Sequence, residues 1–336
     1  MSAKLALLAI LMGIGCGAAH GDTLANVKAR GAVSCGVIAE APGFSASAAD
    51  GARIGLGPDF CRGLAAVIFN DANKVTFTPV VPGDRIAALT SGRVDALADL
   101  TPWTLDEDSA QVLKFVGAMF YDGQGFIVPK ASAMKSSRDL AGKPVCVEIG
   151  SDAQADVTEY FDANNIAAKL LPMVNREAAL AGYADKTCAA FTADYSVLAG
   201  VRATLPVPGD NVLLPDLITK RPLGIVISQG DDHWFDVARW TFFAMLDAEE
   251  LGVTQGNVDE MLGSDNISIR RFLGVEGDFG AVLGLNKDWA YQLIKGVGNY
   301  ADVYDRNVGE SSPLKLARGL NALWNRGGIQ YAPPVQ

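Results

Sequence analysis

Histidine is almost missing from this chain. Two occur in 336 residues, His20 and His233, and no Cys-x-x-Cys pair accompanies them. Without imidazoles and thiols at zinc-like spacing, metal-centred chemistry is set aside and no metal ligands are assigned. Runs of lysine and arginine are also lacking, and the net charge is −10. A phosphate backbone therefore has no basic track to bind, which excludes nucleic acid as a partner. After the first dozen residues no apolar run approaches the ~20 residues a membrane helix needs. What remains is ordinary for a globular protein: 49% hydrophobic and 20% charged residues, in a chain long enough for two substantial cores.

The first segment has its own character. Lys4 precedes the apolar stretch Leu5–Met12, and Ala19-His20-Gly21 is a small-x-small cleavage pattern. Residues 1–21 are expected to be a secretory signal peptide. Gly13-Ile14-Gly15-Cys16 lacks the leucine usual ahead of a lipidated cysteine. Four cysteines remain beyond it, and an even count in an exported chain suits disulfides.

Strand and helix patterns then alternate. Ala32–Ile38 reads as a strand and is followed by the loop Glu40–Ser45. A helix through Phe69, the alternating strand Val75–Pro79 and a helix from Arg85 to Gly92 come next. Such alternation predicts an α/β architecture with mostly parallel sheets, whose ligands sit at the carboxyl ends of the strands. Asp231–Leu251 reads as a long amphipathic helix, with Trp234 and Trp240 better suited to a core than to a site.

Three stretches carry more. Ser91–Ala98 is a helix stop and a short buried strand, followed by Asp99-Leu-Thr-Pro-Trp-Thr-Leu-Asp-Glu-Asp108. Tyr121-Asp-Gly-Gln-Gly-Phe-Ile-Val-Pro129 and Ala189-Ala-Phe-Thr-Ala-Asp194 are the others. Together with the tail through Leu320-Asn-Ala-Leu-Trp-Asn-Arg-Gly-Gly-Ile-Gln-Tyr331, they resemble the periplasmic amino-acid-binding proteins of ABC importers, especially the general L-amino-acid binders. The likeness runs through essentially the whole mature chain. It implies a type II two-lobed fold, with residues 22–130 and 224–336 forming lobe one and a helical C-terminal extension, and residues 131–223 forming lobe two. It also implies a periplasmic monomer that closes on a small solute and docks on permease membrane subunits, without cofactor or catalytic residue. Of the three disulfide pairings four cysteines allow, Cys35–Cys61 and Cys146–Cys188 keeps each bridge within one such lobe.

The resemblance also implies a site, and here the chain departs from its kin. Relatives clamp the solute's α-carboxylate with an arginine where this chain has Glu107, and a second arginine stands where it has Asp99. Thr101, Trp103 and Thr104 complete that loop. Phe44 matches a ligand-packing aromatic, Ser151 fits a turn whose N–H groups meet the carboxylate, where the Asp152 carboxylate would compete for the same donors, and Asp194 matches the acceptor of the α-ammonium. An ionised Glu107 only accepts hydrogen bonds. Against a carboxylate ~4 Å away it would cost on the order of 4 kcal/mol at an effective dielectric near 20.

The expectation is therefore an acidic pocket of Asp99, Glu107 and Asp194, with Glu40 and Asp152, walled by Phe44 and Trp103. Such a pocket suits an organic cation or an amine lacking an α-carboxylate. The alternatives are ordinary amino-acid binding with Arg85 or Arg53 as a relocated clamp, and a sensing or scaffold protein with a degenerate site. A dehydratase-type enzyme on this fold, with Glu107 or Glu40 as general acid, is opposed by the anionic substrates of such enzymes.

Overall fold

The computed structural model describes residues 22–81, 83–109 and 112–335, so the expected signal peptide lies outside the described residues. Its strands are β1 (Val33–Val37), β2 (Ala46–Ser47), β3 (Arg53–Ile54), β4 (Val75–Pro79), β5 (Ala96–Pro102), β6 (Leu113–Asp122), β7 (Gln124–Pro129), β8 (Pro144–Glu148), β9 (Lys169–Met173), β10 (Ala190–Asp194), β11 (Asn211–Leu213) and β12 (Arg221–Ser228). The helices are α1 (Thr23–Arg30), α2 (Leu56–Phe69), α3 (Arg85–Thr90), α4 (Leu105–Ser109), α5 (Asp152–Ala163), α6 (Arg176–Ala184), α7 (Tyr195–Thr204), α8 (Asp232–Leu251), α9 (Val258–Met261), α10 (Ile267–Phe272), α11 (Trp289–Val297) and α12 (Tyr300–Asn307).

Two five-stranded sheets organise them, ordered β4-β1-β5-β12-β6 and β11-β7-β10-β8-β9. In the first, β1 pairs parallel with β4 and β5, and β12 runs against β5 and β6. In the second, β7 runs against β10 and β11 while β8 pairs parallel with β9 and β10. Each sheet thus contains one reversed strand, and those two strands flank the places where the chain changes sheets. Chain direction brings the carboxyl ends of β5 and β6 to one edge of the first sheet. The carboxyl ends of β8 and β10 lie at the edge of the second sheet where β7 begins, so both edges meet at the crossing.

The crossing itself falls at Gly123. Its carbonyl accepts from Tyr195 N, Gln124 N donates to Thr219 Oγ1 at 2.9 Å, and Ile218 N donates to Gln124 O at 2.8 Å. A Cβ on Gly123 would lie 2.3 Å from Thr219 O, so the outgoing and returning segments touch through a residue without a side chain. This moves the boundaries read from sequence. Gln124–Pro129, assigned to lobe one, is a central strand of the second sheet, and Arg221–Leu223, assigned to lobe two, begins β12 of the first. The run Tyr121–Pro129 is extended throughout, and its pattern alone does not mark the sheet change.

The largest core packs α2, α8, α11 and α12 against the first sheet around Phe60, Trp234, Trp289 and Tyr300. Trp234 is buried and donates through Nε1 to Asp95 O at 2.9 Å. The second sheet is covered on its two faces by separate clusters, one around Phe126 and Phe161, the other around Phe191 and Leu198. Cys35–Cys61 ties β1 to α2, and Cys146–Cys188 ties β8 to the turn before β10. The C-terminal extension covers the edge strand β6. Asn321 accepts from Tyr121 N at 2.7 Å and donates to its carbonyl, and Gln330 donates to Ala118 O at 2.9 Å. Side-chain amides thereby occupy backbone groups that would otherwise invite another strand. No described helix is long and apolar enough to cross a membrane.

Candidate ligand site between the lobes

At the carboxyl end of β5 the backbone takes an unusual course. Leu100 sits at φ 54°, a left-handed conformation that costs a branched side chain of this kind of order 1–3 kcal/mol and is held only by its surroundings. The twist falls between two buried polar residues. Thr101 Oγ1 donates to Asp99 Oδ1 at 2.7 Å, and Asp99 Oδ2 lies 3.6 Å from Arg85 Nη1. Arg85, at the start of α3, also forms an ion pair with Glu107 on α4. The side chain of Asp99 is 5% exposed and that of Arg85 15%. Burial pushes the Asp99 carboxyl above its usual range, while Thr101 and Arg85 pull it back. Arg85 Nε and Glu107 Oε2 are buried without hydrogen-bond partners among the described residues.

This geometry corrects the acidic pocket expected from sequence. Asp99 and Glu107 share one guanidinium instead of offering two bare carboxylates to a solute. The same contacts hold Arg85 between two carboxylates, so a solute using it as a clamp would compete with both. Taking it from two carboxylates, one of them deeply buried, would cost about 3–5 kcal/mol.

The aromatic walls are corrected too. Phe44 is 8% exposed and meets Phe120 edge-on at 5.1 Å, in the core of lobe one. Trp103 is half-buried and its ring stacks on Phe115 at 4.8 Å, while its backbone N–H donates to Pro222 O at 2.8 Å. Glu40 points outward, 64% exposed and 3.7 Å from Arg53, which is itself bonded to Ala39 O. Neither Glu40 nor Arg53 joins the Arg85 group. Thr104 is exposed and its hydroxyl accepts from Glu107 N at 3.2 Å, opening α4.

Across the crossing, the edge of the second sheet forms a polar cavity of about 180 Å³ lined by Glu148, Ser151, Asp152, Arg176, Asp194 and Arg221. Ser151 caps α5: its hydroxyl accepts from Gln154 N at 3.2 Å and donates to Glu148 O at 2.7 Å. The cap takes up Gln154 N, and the dipole at the N-terminus of this 12-residue helix favours anions. Asp152 is exposed at that first turn.

Asp194 ends β10 and accepts twice from Arg221 Nη1, at 2.7 and 2.8 Å. Arg221 Nη2 lies 3.5 Å from Asp156 on α5. The Arg221 and Asp194 side chains are 27% and 26% exposed. Behind them Asp122, opposite Arg221 in the β6–β12 register, accepts from Ser196 N at 3.3 Å and Gly123 N at 2.9 Å. Burial raises its carboxyl to about 6.

Of the residues proposed from sequence, Asp99, Thr101, Thr104 and Glu107 thus gather at lobe one. Ser151, Asp152 and Asp194 gather at lobe two. Sequence reasoning missed Arg176, Arg221, Glu148 and Asp156. One signal was present for Arg221: a cation opening a strand immediately before Pro222, at the sheet edge where ligands are expected.

Two sheets joined by a double crossing, with polar side chains and a helix N-terminus collected at their facing carboxyl edges, define a solute-binding protein of the hinged two-lobe class. Residues 33–270 match the bacterial extracellular solute-binding proteins, family 3, and the chain belongs to that family. It is 45% identical over 98% of both chains to the general L-amino acid-binding periplasmic protein AapJ of Rhizobium johnstonii. It is 41% identical over 95% of both to the glutamate/glutamine/aspartate/asparagine-binding protein BztA of Rhodobacter capsulatus. A solved ABC transporter periplasmic binding protein from Brucella ovis, with glutathione bound, superposes with a TM-score of 0.81 at 45% identity, covering 94% of this chain and all of that one. The chain is therefore an amino-acid-type solute-binding protein of ABC transport.

Proposed function

We propose that the protein captures a small zwitterion of amino-acid type, with the ammonium on Asp194 and the carboxylate on Arg221, Arg176 and the N-terminus of α5. The observation that carries this reading is the Arg221–Asp194 pair at the mouth of the lobe-two cavity. The pair is more exposed than the Asp99–Arg85 contact, and a solute bringing both charges offers each member a new partner in exchange for the old one. The Arg85 group is too costly to open, which is why the clamp is assigned to lobe two. Relatives that bind amino acids support a ligand with both charged ends.

This reading replaces the amine without a carboxylate. The lobes of the trap are residues 22–123 with 221–336, and residues 124–220. Residues 1–21 are removed on export, and the monomeric closed form hands its solute to the permease subunits of an ABC importer.

Calorimetric titration of the purified mature chain with the twenty amino acids and a panel of alkylamines tests the proposal. At least one amino acid is expected to bind at micromolar concentration or below, about −8 kcal/mol. Binding of an amine that has no carboxylate, with all twenty amino acids silent, overturns it.

A further inference from the structure

The Arg221 guanidinium lies between two carboxylates, Asp194 at 2.7 Å and Asp156 at 3.5 Å. That is how a binding site would hold the cationic end of a solute. Here the cation belongs to the protein and is delivered by the first residue of β12, beside the crossing. Asp194 stands at the end of β10, in the other sheet. The charged groups facing the pair are Asp156 and Asp152 on α5, Asp122 at the end of β6, and Arg176 and Glu148 around the cavity.

We infer that Arg221 is the selectivity residue of the cleft, an internal cation seated where the solute's ammonium must go. The inference rests on the zwitterion reading and adds a rule to it. A solute with an ammonium alone exchanges one cation for another on Asp194 and leaves Arg221 with Asp156 only. A solute with a carboxylate alone leaves Asp194 without a cation. A zwitterion gives Asp194 a new cation and Arg221 a new anion together, so both ends are recognised or neither is. Selectivity of this kind comes from penalising the wrong solute as much as from attracting the right one.

The test compares wild type, Arg221→Ala and Arg221→Lys, each first shown to be folded by its thermal melt. An amino acid that wild type binds and the amine formed by removing its carboxyl group are titrated against all three. Wild type is expected to prefer the amino acid by roughly a hundredfold or more, and Arg221→Ala to narrow that preference to about tenfold or less by weakening the amino acid and strengthening the amine. Arg221→Lys, which keeps the charge and loses the fork, falls between.

A second arm needs no knowledge of the solute. Methylguanidinium at millimolar concentration is expected to bind Arg221→Ala and raise its Tm, and to leave wild type unchanged. An unchanged amino acid to amine ratio in Arg221→Ala overturns the inference. So does an alanine variant that takes up neither methylguanidinium nor amine. Wild type that binds amine and amino acid equally well, or no amino acid at all, overturns the zwitterion reading, and the methylguanidinium arm then still decides whether Arg221 fills a cation seat.

Discussion

Arg85→Ala lowers the unfolding free energy by about 3–5 kcal/mol, the largest loss expected from any single charge substitution near the cleft. Urea unfolding at pH 8 measures it. The cost arises because Asp99, 5% exposed, and Glu107 lose the one cation they share. It is greater than the contact itself is worth, since the wild-type pairing has already met the desolvation of its members. The variant should recover part of the loss in acid. Burial already raises the Asp99 carboxyl, and without Arg85 it rises further. Its folded form then holds a proton that the unfolded chain releases, so stability increases as pH falls toward the unfolded carboxylate range. A variant as stable as wild type at pH 8 would mean that the Arg85 group is not the buried ion network described here.

Asp247→Asn should show the opposite sign of benefit: little at pH 4 and several degrees of Tm by pH 8. Asp247 lies on α8 beneath the C-terminal tail and accepts from Val335 N at 3.2 Å. Burial, and then the charge of Glu250, push its carboxyl to about 7 from an ordinary 3.8. The folded state therefore binds the proton more tightly than the unfolded one. Its contribution to stability is present below the unfolded value and is lost as pH rises toward 7. That gap corresponds to about 4 kcal/mol at most. Asparagine keeps an acceptor for Val335 N and removes the charge. The difference in Tm between variant and wild type, followed from pH 4 to pH 8, isolates this group from every other that titrates. A difference that does not grow with pH would refute the assignment.

The fold was largely legible in the sequence because its signals are local. Alternating strands and glycine stops are read within ten residues, and Cys35–Cys61 and Cys146–Cys188 each fall within one lobe. The sheet change at Gly123 was not, since Tyr121–Pro129 is continuous in pattern and the crossing is marked by contacts with Tyr195, Ile218 and Thr219, far along the chain. The site was half legible. Asp99 and Glu107, where the resemblance implies arginines, are legible in the sequence as a departure. The pairing of the acids depends on partners far along the chain: Arg85 for Glu107, separated by 22 residues, and Arg221 for Asp194, separated by 27. A list of acids overstates a pocket's negative charge when each has its cation folded against it. Phe44 misled for a similar reason, because the motif gives its neighbours in sequence and Phe120 is not among them.

Whether the carboxylate of the solute is held by lobe two or by lobe one is the central issue, and a crystal structure of the complex with a bound amino acid addresses it most directly. The expected arrangement has the ammonium on Asp194 and the carboxylate oxygens about 3 Å from Arg221, Arg176 or the first N–H groups of α5, with Arg85 still paired to Asp99 and Glu107. A carboxylate resting on Arg85, with the Arg221–Asp194 pair undisturbed, would contradict the account.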